Sequence, residues 1–580
     1  MKKVLEMKNI AFILVVVVFQ LLMGCEDFLD TTNYTKKNTS NFPETYTDAE
    51  QMITGIYSTL SLTTSHVWSS YFQIAQLASD DCLGGSGENG KQPQAIDMLL
   101  KNSETMLNEF WADRYSGIFR ANLAIQTLDN CEGFTSETQK NQLKGEAYFM
   151  RAFFYYEMAT IIGQVPLVVS TEPVNLPRAS SEEIFGQIAS DLKMAIGLMP
   201  SMPYTGVEAG HATKWAAEAL MARAFLFYTG FYNKEYLPLI AEDGSVSGSV
   251  SKSEVISWIE DCINNSGHQL VADYRELWSY TNRYTVEDYE YTKGQGLQWV
   301  ENDGSVNPET VFSIKFSNFA SHEGITGYSN QYALYYGFRG GQNLANTFPF
   351  GQGWGMGPAN PGLWTDWLEA EPNDPRREAT LINIPVEVPN YSKGGWGDLI
   401  QETDYWQKKF MPVTARADDN TYVSSYSVLM YGTEDNFQLD NTMDLILIRL
   451  ADVYLMHSEL TQTNTYMNMV RNRVGLPDIE YSLTNLQNER RWELACEGIR
   501  WNDIRRWGIA TEVLERQIGQ PIYTKGVPDV NKSFGGGYAS RYNETQGFFP
   551  IPEAQILLSD GVLEQTEGWN TSSASYSGWK

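Results

Sequence analysis

The chain has 580 residues, 42% of them hydrophobic, and its 71 acidic residues outnumber the 42 basic ones to give a formal net charge of -29. So negative a protein repels polyanions, which argues against nucleic acid as a partner and against highly sulfated or uronic-acid-rich ligands. The length is sufficient for a large core, but composition leaves open whether the chain forms several domains or one interwoven unit.

The N-terminus has the features of a secretion signal. Three lysines fall within the first eight residues and precede the apolar run Ile10–Met23, which is 14 residues long. A helix needs about 20 residues to cross the hydrocarbon core of a bilayer. The run therefore predicts a cleaved signal peptide over residues 1–24 and no transmembrane helix in the mature protein.

The segment Leu22–Cys25 is similar to the bacterial lipobox, whose cysteine receives lipid. Cys25 is therefore predicted to be the first mature residue and the site of lipid attachment, the alternative being an ordinary signal peptide with a chance cysteine. Several acyl chains on one residue give a stable membrane anchor. The acidic segment Glu26–Asp30 is similar to the tag that directs lipoproteins to the outer face of the outer membrane.

The first half of the mature chain has helical periodicity. Residues 143–162 carry two apolar stripes at spacings of three and four, and Gly163 ends the pattern. Further helices are predicted at Ser181–Leu198, at the alanine-rich Thr213–Thr229 and at Ser253–Asn264. Paired amphipathic helices with small contact residues indicate an irregular tetratricopeptide-like scaffold, with a non-repeating helical bundle as the alternative.

The stretch from Trp278 to Trp367 differs from the rest of the chain. It holds 19 aromatic residues and 13 glycines with few helical patterns, and it predicts long loops with short strands such as Thr310–Phe316. Loops of that length are usually functional. The predicted divisions of the mature chain are an N-terminal helical region at 25–277, a loop-rich ligand-binding region at 278–442 and a C-terminal region at 443–580 that packs on the same body.

The tail is predicted to be helical again from Asp444, with Ile446, Leu450, Val453 and His457 on one stripe. On such a stripe His457 is interpreted as a satisfied core histidine rather than a ligand.

A further helix is predicted over Glu489–Trp507. It is dense in arginine, glutamate and tryptophan, a composition that favours a packing and ion-pair clasp over a catalytic centre.

Motifs for metal binding and hydrolysis are absent from the sequence. Four cysteines besides Cys25 form no CxxC pair, and they could pair in three ways or remain buried thiols: Cys82, Cys131, Cys262 and Cys496. The sequence has no HExxH, GxSxG or D-x-D-x-D-G pattern. We therefore predict no cofactor and no defined metal site.

Five ordered segments resemble the SusD/RagB family of outer-membrane nutrient-binding lipoproteins. They are residues 145–168, 446–460, 470–477, 489–508 and 548–556. The resemblance implies a mainly α fold, with about four irregular tetratricopeptide-type helix pairs and a loop-rich, minor-β region inserted between the N- and C-terminal helices. It also implies a lipid-anchored protein on the outer face of the outer membrane, without enzymatic activity, which captures glycan and delivers it to a SusC-like TonB-dependent transporter.

The aromatic stretch suits glycan capture, because the apolar C–H face of a sugar ring can lie on an aromatic ring while polar groups meet its hydroxyls. The predicted platforms are Trp299, Tyr328, Tyr332, Tyr335, Tyr336 and Trp354, and the predicted polar groups at the rim are Asn330, Gln331 and Arg339. For each aromatic residue, packing against the scaffold is the alternative.

A second loop that frequently contributes to the site in this family corresponds to Cys82–Gln94, which contains no aromatic residue. Its Glu88, Asn89 and Gln92 are predicted to supply polar contacts only. Two other functions stay open: binding of peptides or another nutrient, and glycoside hydrolysis. The second requires two carboxylates at a defined separation, which so acidic a chain would provide by chance.

Overall fold

The computed structural model describes residues 42–241, 243–302, 304, 306–322, 328–340 and 342–580, without the side chains of residues 63 and 64. The predicted signal peptide and Cys25 lie outside this range. Among the described residues, no helix combines the length and apolar character that a membrane crossing would need.

The fold is mainly helical, with 21 α-helices over the described residues. They are α1 (Tyr46–Ser65), α2 (Tyr71–Leu77), α3 (Lys91–Asp97), α4 (Asn108–Thr127), α5 (Glu137–Ile161), α6 (Ser181–Leu198), α7 (Lys214–Phe231), α8 (Lys252–Asn265), α9 (Gln331–Tyr336), α10 (Leu344–Thr347), α11 (Pro361–Ala370), α12 (Arg376–Thr380), α13 (Ile384–Glu387), α14 (Tyr426–Tyr431), α15 (Leu450–Thr461), α16 (Thr465–Arg473), α17 (Leu483–Leu494), α18 (Arg500–Arg506), α19 (Ala510–Glu515), α20 (Tyr538–Thr545) and α21 (Glu553–Leu558).

The long N-terminal helices form where the periodicity predicts them. In α6 the Ser180 hydroxyl accepts from the backbone N–H of Glu183, whose carboxylate returns to Ser180, so a capping box fixes the start. Helix α5 is followed by Gly163, whose positive φ of 87° lets its N–H donate back to the Met158 carbonyl. Consecutive helices α4 to α8 pack on one another, while the number of tetratricopeptide-type pairs stays a prediction.

The strands are short, and those in the described range form six two-stranded sheets. They are β1 (Leu237–Ile240), β2 (Val246–Val250), β3 (Thr310–Ile314), β4 (Phe338–Arg339), β5 (Gln352–Gly353), β6 (Leu381–Asn383), β7 (Tyr405–Gln407), β8 (Ala415–Arg416), β9 (Tyr422–Val423), β10 (Leu445–Arg449), β11 (Pro521–Thr524) and β12 (Val527–Val530). Only β4 and β5 pair in parallel. Loops therefore make up much of the middle of the chain.

The C-terminal region is joined to the loop-rich region by a β-ladder rather than by the helix predicted to start at Asp444. Residues 445–449 form β10, which pairs antiparallel with β3, and α15 begins only at Leu450. The prediction of a helix before Leu450 was wrong because a short apolar run such as LILIR fits a buried strand as well as a helix.

One continuous apolar core spans the described chain. Its buried side chains run from Ala49 in α1 to Tyr576 near the C-terminus, and His457 is buried against Tyr466 with an exposed fraction of 7%. The predicted boundaries at residues 277/278 and 442/443 stay predictions, but the segments on either side of them share this core.

The helix predicted over Glu489–Trp507 is interrupted. Helix α17 ends at Leu494 and α18 begins at Arg500, because Cys496 and Gly498 take positive φ values of 64° and 69° that a right-handed helix does not allow. The predicted clasp of charges does form, although its partners come from distant segments and its members are buried.

The centre of this clasp is the carboxylate of Glu493, which is fully buried. It pairs with Arg376 at 2.9 Å and also with Arg449 and Arg473. Burial opposes ionisation of Glu493, but the three guanidinium groups outweigh it and hold the pKa of the carboxyl well below its ordinary value. Four segments of the chain therefore meet at one charge.

We predict that Glu493→Gln lowers the free energy of unfolding by about 3 to 5 kcal/mol, because three buried guanidinium groups lose the carboxylate that they share and the buried cluster loses one negative charge. Urea denaturation followed by circular dichroism measures the change. In the control, Glu290→Gln removes the exposed partner that lies 3.3 Å from Lys293, and we expect a change below about 1 kcal/mol. Equal, small effects of the two substitutions would contradict the role assigned to the clasp.

Candidate functional site

Three aromatic side chains form a cluster at the surface of the loop-rich region, here called the aromatic platform: Trp354, Trp396 and Phe437. The ring centroid of Trp354 lies 5.9 Å from that of Trp396 and 6.0 Å from that of Phe437. The Trp396 side chain is 53% exposed, and the other two are half-buried. The platform is open, whereas clefts of about 590 and 650 Å³ lie elsewhere, among the N-terminal helices.

The short parallel sheet places Trp354. Strand β4 pairs with β5 so that Arg339 stands opposite Gly353, the residue before Trp354. A Cβ atom on Gly353 would lie 2.0 Å from the Leu334 carbonyl oxygen, so only glycine allows the backbones to approach this closely. The Trp354 N–H donates to that same carbonyl, which fixes the start of the turn that carries the indole.

Arg339 contacts both tryptophans of the platform. Its guanidinium donates to the Asp398 carboxylate at 2.7 and 2.6 Å and to the Trp354 carbonyl at 3.0 Å, and it lies 5.0 Å from the ring centroid of Trp396. These bonds keep the pKa of Asp398 below its ordinary value. Arg339 was predicted as a rim group for ligand, but it donates two hydrogen bonds to Asp398 and one to the Trp354 carbonyl.

Trp396 stands on a glycine-rich loop. Gly394, Gly395 and Gly397 all have positive φ, a conformation that other residues rarely adopt. Gly340 lies directly beneath the indole, where a Cβ atom would be 2.0 Å from Trp396 Cζ2. Sequence reasoning missed Trp396 because the aromatic stretch was ended at Trp367, although the sequence Gly-Gly-Trp-Gly is itself a sign of an aromatic ring displayed on a turn.

The loop Cys82–Gln94 borders the platform. Gly87 forms an isolated antiparallel β-bridge with Leu399, and the Glu88 N–H donates to the Asp398 carbonyl at 2.9 Å. The Glu88 carboxylate pairs with Lys525 at 2.7 Å, and both side chains are partly exposed. Asn89 is exposed beside them. The loop therefore places Glu88 and Asn89 at the edge of the platform, while their contact with ligand stays a prediction.

Gln92, the third polar residue predicted in that loop, has a structural contact. Its amide donates to the Trp68 carbonyl at 2.7 Å. Trp68 meets Tyr335 edge to face with 5.6 Å between ring centroids, and both rings are half-buried. This pair is a second group of accessible aromatic surface, and the Tyr335 carbonyl accepts from Met356, two residues after Trp354.

Four of the predicted ligand-binding side chains belong to the core. Trp299, Asn330, Tyr332 and Tyr336 are 5% exposed or less. Their polar and ring contacts are internal: the Tyr336 hydroxyl donates to Gln73 at 2.7 Å, and Trp299 packs edge to face on Tyr426. No ring face of the three aromatic residues is open to a sugar, because α9 turns Tyr332 and Tyr336 inward and Trp299 packs on Tyr426.

The remaining predicted residues lie at or near the surface. Tyr328 is 45% exposed. Gln331 is nearly buried and donates to the Gln438 carbonyl at 2.9 Å, next to Phe437. Of the nine predicted residues, the structure thus places Trp354, Arg339 and Gln331 at or near the platform. Tyr335 belongs to the separate pair with Trp68.

Within the described ranges, no group of three or more histidine, cysteine, aspartate or glutamate side chains is arranged to hold a metal ion. Asp398 and Glu88, two acidic residues beside Trp396, are each paired with a cation. The platform therefore provides an apolar surface for stacking, and its edge is polar and partly charged.

Two family profiles match the chain. One, described as "Starch-binding associating with outer membrane", matches residues 27–226, and the other, described as "SusD family", matches residues 280–569. Together they cover both the helical scaffold and the region that carries the platform.

Known proteins with similar sequences or folds include proteins named as SusD-like and one named as a surface glycan-binding protein. SusD-like protein P25 of Formosa agariphila is 22% identical over 85% of this chain and 88% of its own. A structure named "Laminarin binding SusD-like protein" has a TM-score of 0.65 at 24% identity, covering 91% of this chain and 100% of that one. Surface glycan-binding protein A from Bacteroides thetaiotaomicron in complex with laminarihexaose has a TM-score of 0.65 at 18% identity, covering 90% and 99%.

We predict that Gly340→Ala displaces the Trp396 indole without unfolding the protein, because the new methyl group would occupy the space of the ring. Near-ultraviolet circular dichroism and tryptophan fluorescence should change while the far-ultraviolet spectrum stays the same. The control is Gly197→Ala in α6, where a Cβ meets nothing within 4 Å, and both spectra should be retained. An unchanged tryptophan signal in Gly340→Ala would contradict the close approach.

Proposed function

The chain belongs to the SusD family, and from this premise we propose that it captures neutral glycan at the aromatic platform. The observation that carries the proposal is the pair of the half-buried Trp354 and the exposed Trp396, both in contact with Arg339 and flanked by polar groups. Rings already fixed in place lose little conformational entropy when a ligand covers them.

The energetics favour a ligand with several sugar units. If one sugar ring covers about 50 Å² of apolar surface at about 25 cal/mol per Å², each stack contributes on the order of 1 kcal/mol. Micromolar affinity corresponds to about 8 kcal/mol. Stacking on two or three aromatic rings therefore gives micromolar affinity only together with hydrogen bonds from the polar edge. A chain of several sugars can make both kinds of contact.

The edge suits an uncharged ligand. Asp398 has a partly exposed carboxylate, Glu88 and Lys525 form an exposed ion pair, and Asn89 is exposed between the loops. These groups accept and donate hydrogen bonds to hydroxyls. A glycan rich in carboxylates or sulfates would meet the negative field of the whole chain in addition.

A binding role without turnover fits the ionisation of the site. A glycosidase needs a carboxylic acid that stays protonated near neutral pH to donate to the leaving group. At the platform, Arg339 lowers the pKa of Asp398 instead. We therefore propose that the ligand is bound and released intact.

The family and the N-terminal sequence support a proposal for location and partner. We propose that Cys25 carries lipid, that the protein faces outward from the outer membrane, and that bound glycan passes to a SusC-like TonB-dependent transporter. An open platform suits this transfer, because a ligand held on a surface is released without the opening of a cavity.

We predict that Trp396→Ala and Trp354→Ala each weaken glycan binding about fivefold, the loss that corresponds to one stack of about 1 kcal/mol. Laminarin oligosaccharides are a suitable first probe, since two structural neighbours are named for laminarin or laminarihexaose. Isothermal titration calorimetry on the mature protein measures the affinity. Tyr236→Ala is the matched control, because Tyr236 is equally exposed, at 53%, but lies beside β1.

If a panel of neutral glycans binds and neither tryptophan substitution weakens it, the platform is not the site. Analysis of the recovered ligand distinguishes the other functions. Release of new reducing ends would indicate a hydrolase. Binding from a mixed nutrient extract that survives glycosidases but is lost after protease treatment would indicate a peptide binder.

A further inference from the structure

Two buried thiols from distant parts of the sequence are in contact. Cys82 follows α2, and Cys496 lies in the turn between α17 and α18. Their Sγ atoms are 3.9 Å apart although 414 positions separate the residues, and their exposed fractions are 0% and 1%. Neither Cys131 nor Cys262 has another cysteine sulfur in contact within the part of the chain that the structure describes.

Contacts on both sides hold the two segments in this register independently of the thiols. Arg500 donates to Asp80 at 2.7 Å, and Arg491 pairs with Asp80 at 3.0 Å. The side chain of Gln76 joins the same segments. Its Oε1 accepts from the Gly498 N–H at 3.1 Å, and its Nε2 donates to the Cys82 sulfur at 3.0 Å. The thiols thus face each other inside a fixed frame.

The backbone at Cys496 is also unusual. Its φ is 64°, in the left-handed region that non-glycine residues rarely adopt. This conformation interrupts the helix predicted over Glu489–Trp507 at the residue whose side chain meets Cys82. A strained conformation persists only where the surroundings determine it, and here the surroundings include the second sulfur.

We propose that Cys82 and Cys496 form a disulfide in the exported protein. The proposal rests on the cell-surface location given under the proposed function, since disulfides persist in oxidising compartments. Two S–H bonds break and one S–S bond forms, with the two electrons and two protons passing to the disulfide of a thiol–disulfide oxidoreductase, which leaves as a dithiol. The sulfurs would close from 3.9 Å to about 2.05 Å.

The bond would form before the final burial of the two residues. Burial raises the pKa of the Cys82 thiol well above its ordinary value, and the neighbouring Cys496 sulfur raises it further. Because the thiolate is the attacking species, exchange in the folded core is slow. The same burial then protects a completed bond from reductants.

The crosslink would fix the start of the loop Cys82–Gln94, which borders the platform. Cys82 bridges Ala359, and the Leu83 N–H donates to the Pro358 carbonyl at 2.9 Å, a few residues after Trp354. The loop Cys82–Gln94 continues from there to Glu88 and Asp398. A disulfide at its root would keep the edge of the binding surface in place.

The test is peptide mapping of the full chain, exported with its own signal and recovered from cells. The protein is denatured, its free thiols are alkylated, and it is then digested without reductant and analysed by mass spectrometry. We expect a linked peptide pair containing Cys82 and Cys496 that separates on reduction, while Cys131 and Cys262 are alkylated at the first step.

Two variants complete the test. In Cys82→Ser, Cys496 should become alkylated and the thermal unfolding midpoint should fall. In the control Cys131→Ser/Cys262→Ser, the linked pair should remain. Alkylation of both Cys82 and Cys496 in unreduced wild-type protein that was folded before denaturation would overturn the proposal. Glycan binding is measured separately, so a binding-competent protein without the crosslink refutes only this inference.

Discussion

The buried ion-pair clasp is the constraint on which the rest of the structure depends. Glu493 and Glu497 are fixed by arginines and a lysine from α12, β10, α16 and the segment after β7, and none of these groups reaches water to an appreciable extent. The desolvation cost of charges buried this deeply is offset only when every charge has its partners in place. The clasp therefore couples the loop-rich region to the C-terminal helices, and loops with little sheet structure gain a defined position.

Sequence periodicity predicted the long helices well and failed where tertiary contacts override it. Ser181–Leu198 matches α6 in full, because apolar spacing and a capping box agree there. The segment Glu489–Trp507 has an equally helical pattern, but Cys496 and Gly498 leave the helical region so that Arg491 and Arg500 can reach Asp80. No local signal carries that information, since the partner lies more than 400 residues away.

The candidate site was predictable as a region and not as a set of residues. An aromatic-rich, glycine-rich stretch indicates a displayed surface, and Trp354 lies on it, but composition does not separate the displayed rings from those that fill the core. Tyr332 and Tyr336 are buried because α9 packs them on α2, where Gln73 accepts from the Tyr336 hydroxyl. Trp396 is displayed on a turn in which Gly394, Gly395 and Gly397 all take positive φ.

In the proposed binding role, the geometry of the platform would make an open surface selective. Arg339 uses its donors on Asp398 and on the Trp354 carbonyl, so the angle of 46° between the two indole planes is set before any ligand arrives. A flat ligand cannot lie on both planes at once, whereas a chain that bends between successive sugars can. Discrimination would then come from the curvature of the glycan rather than from contacts with one monosaccharide, and loosening either Asp398 or the loop Cys82–Gln94 would relax it.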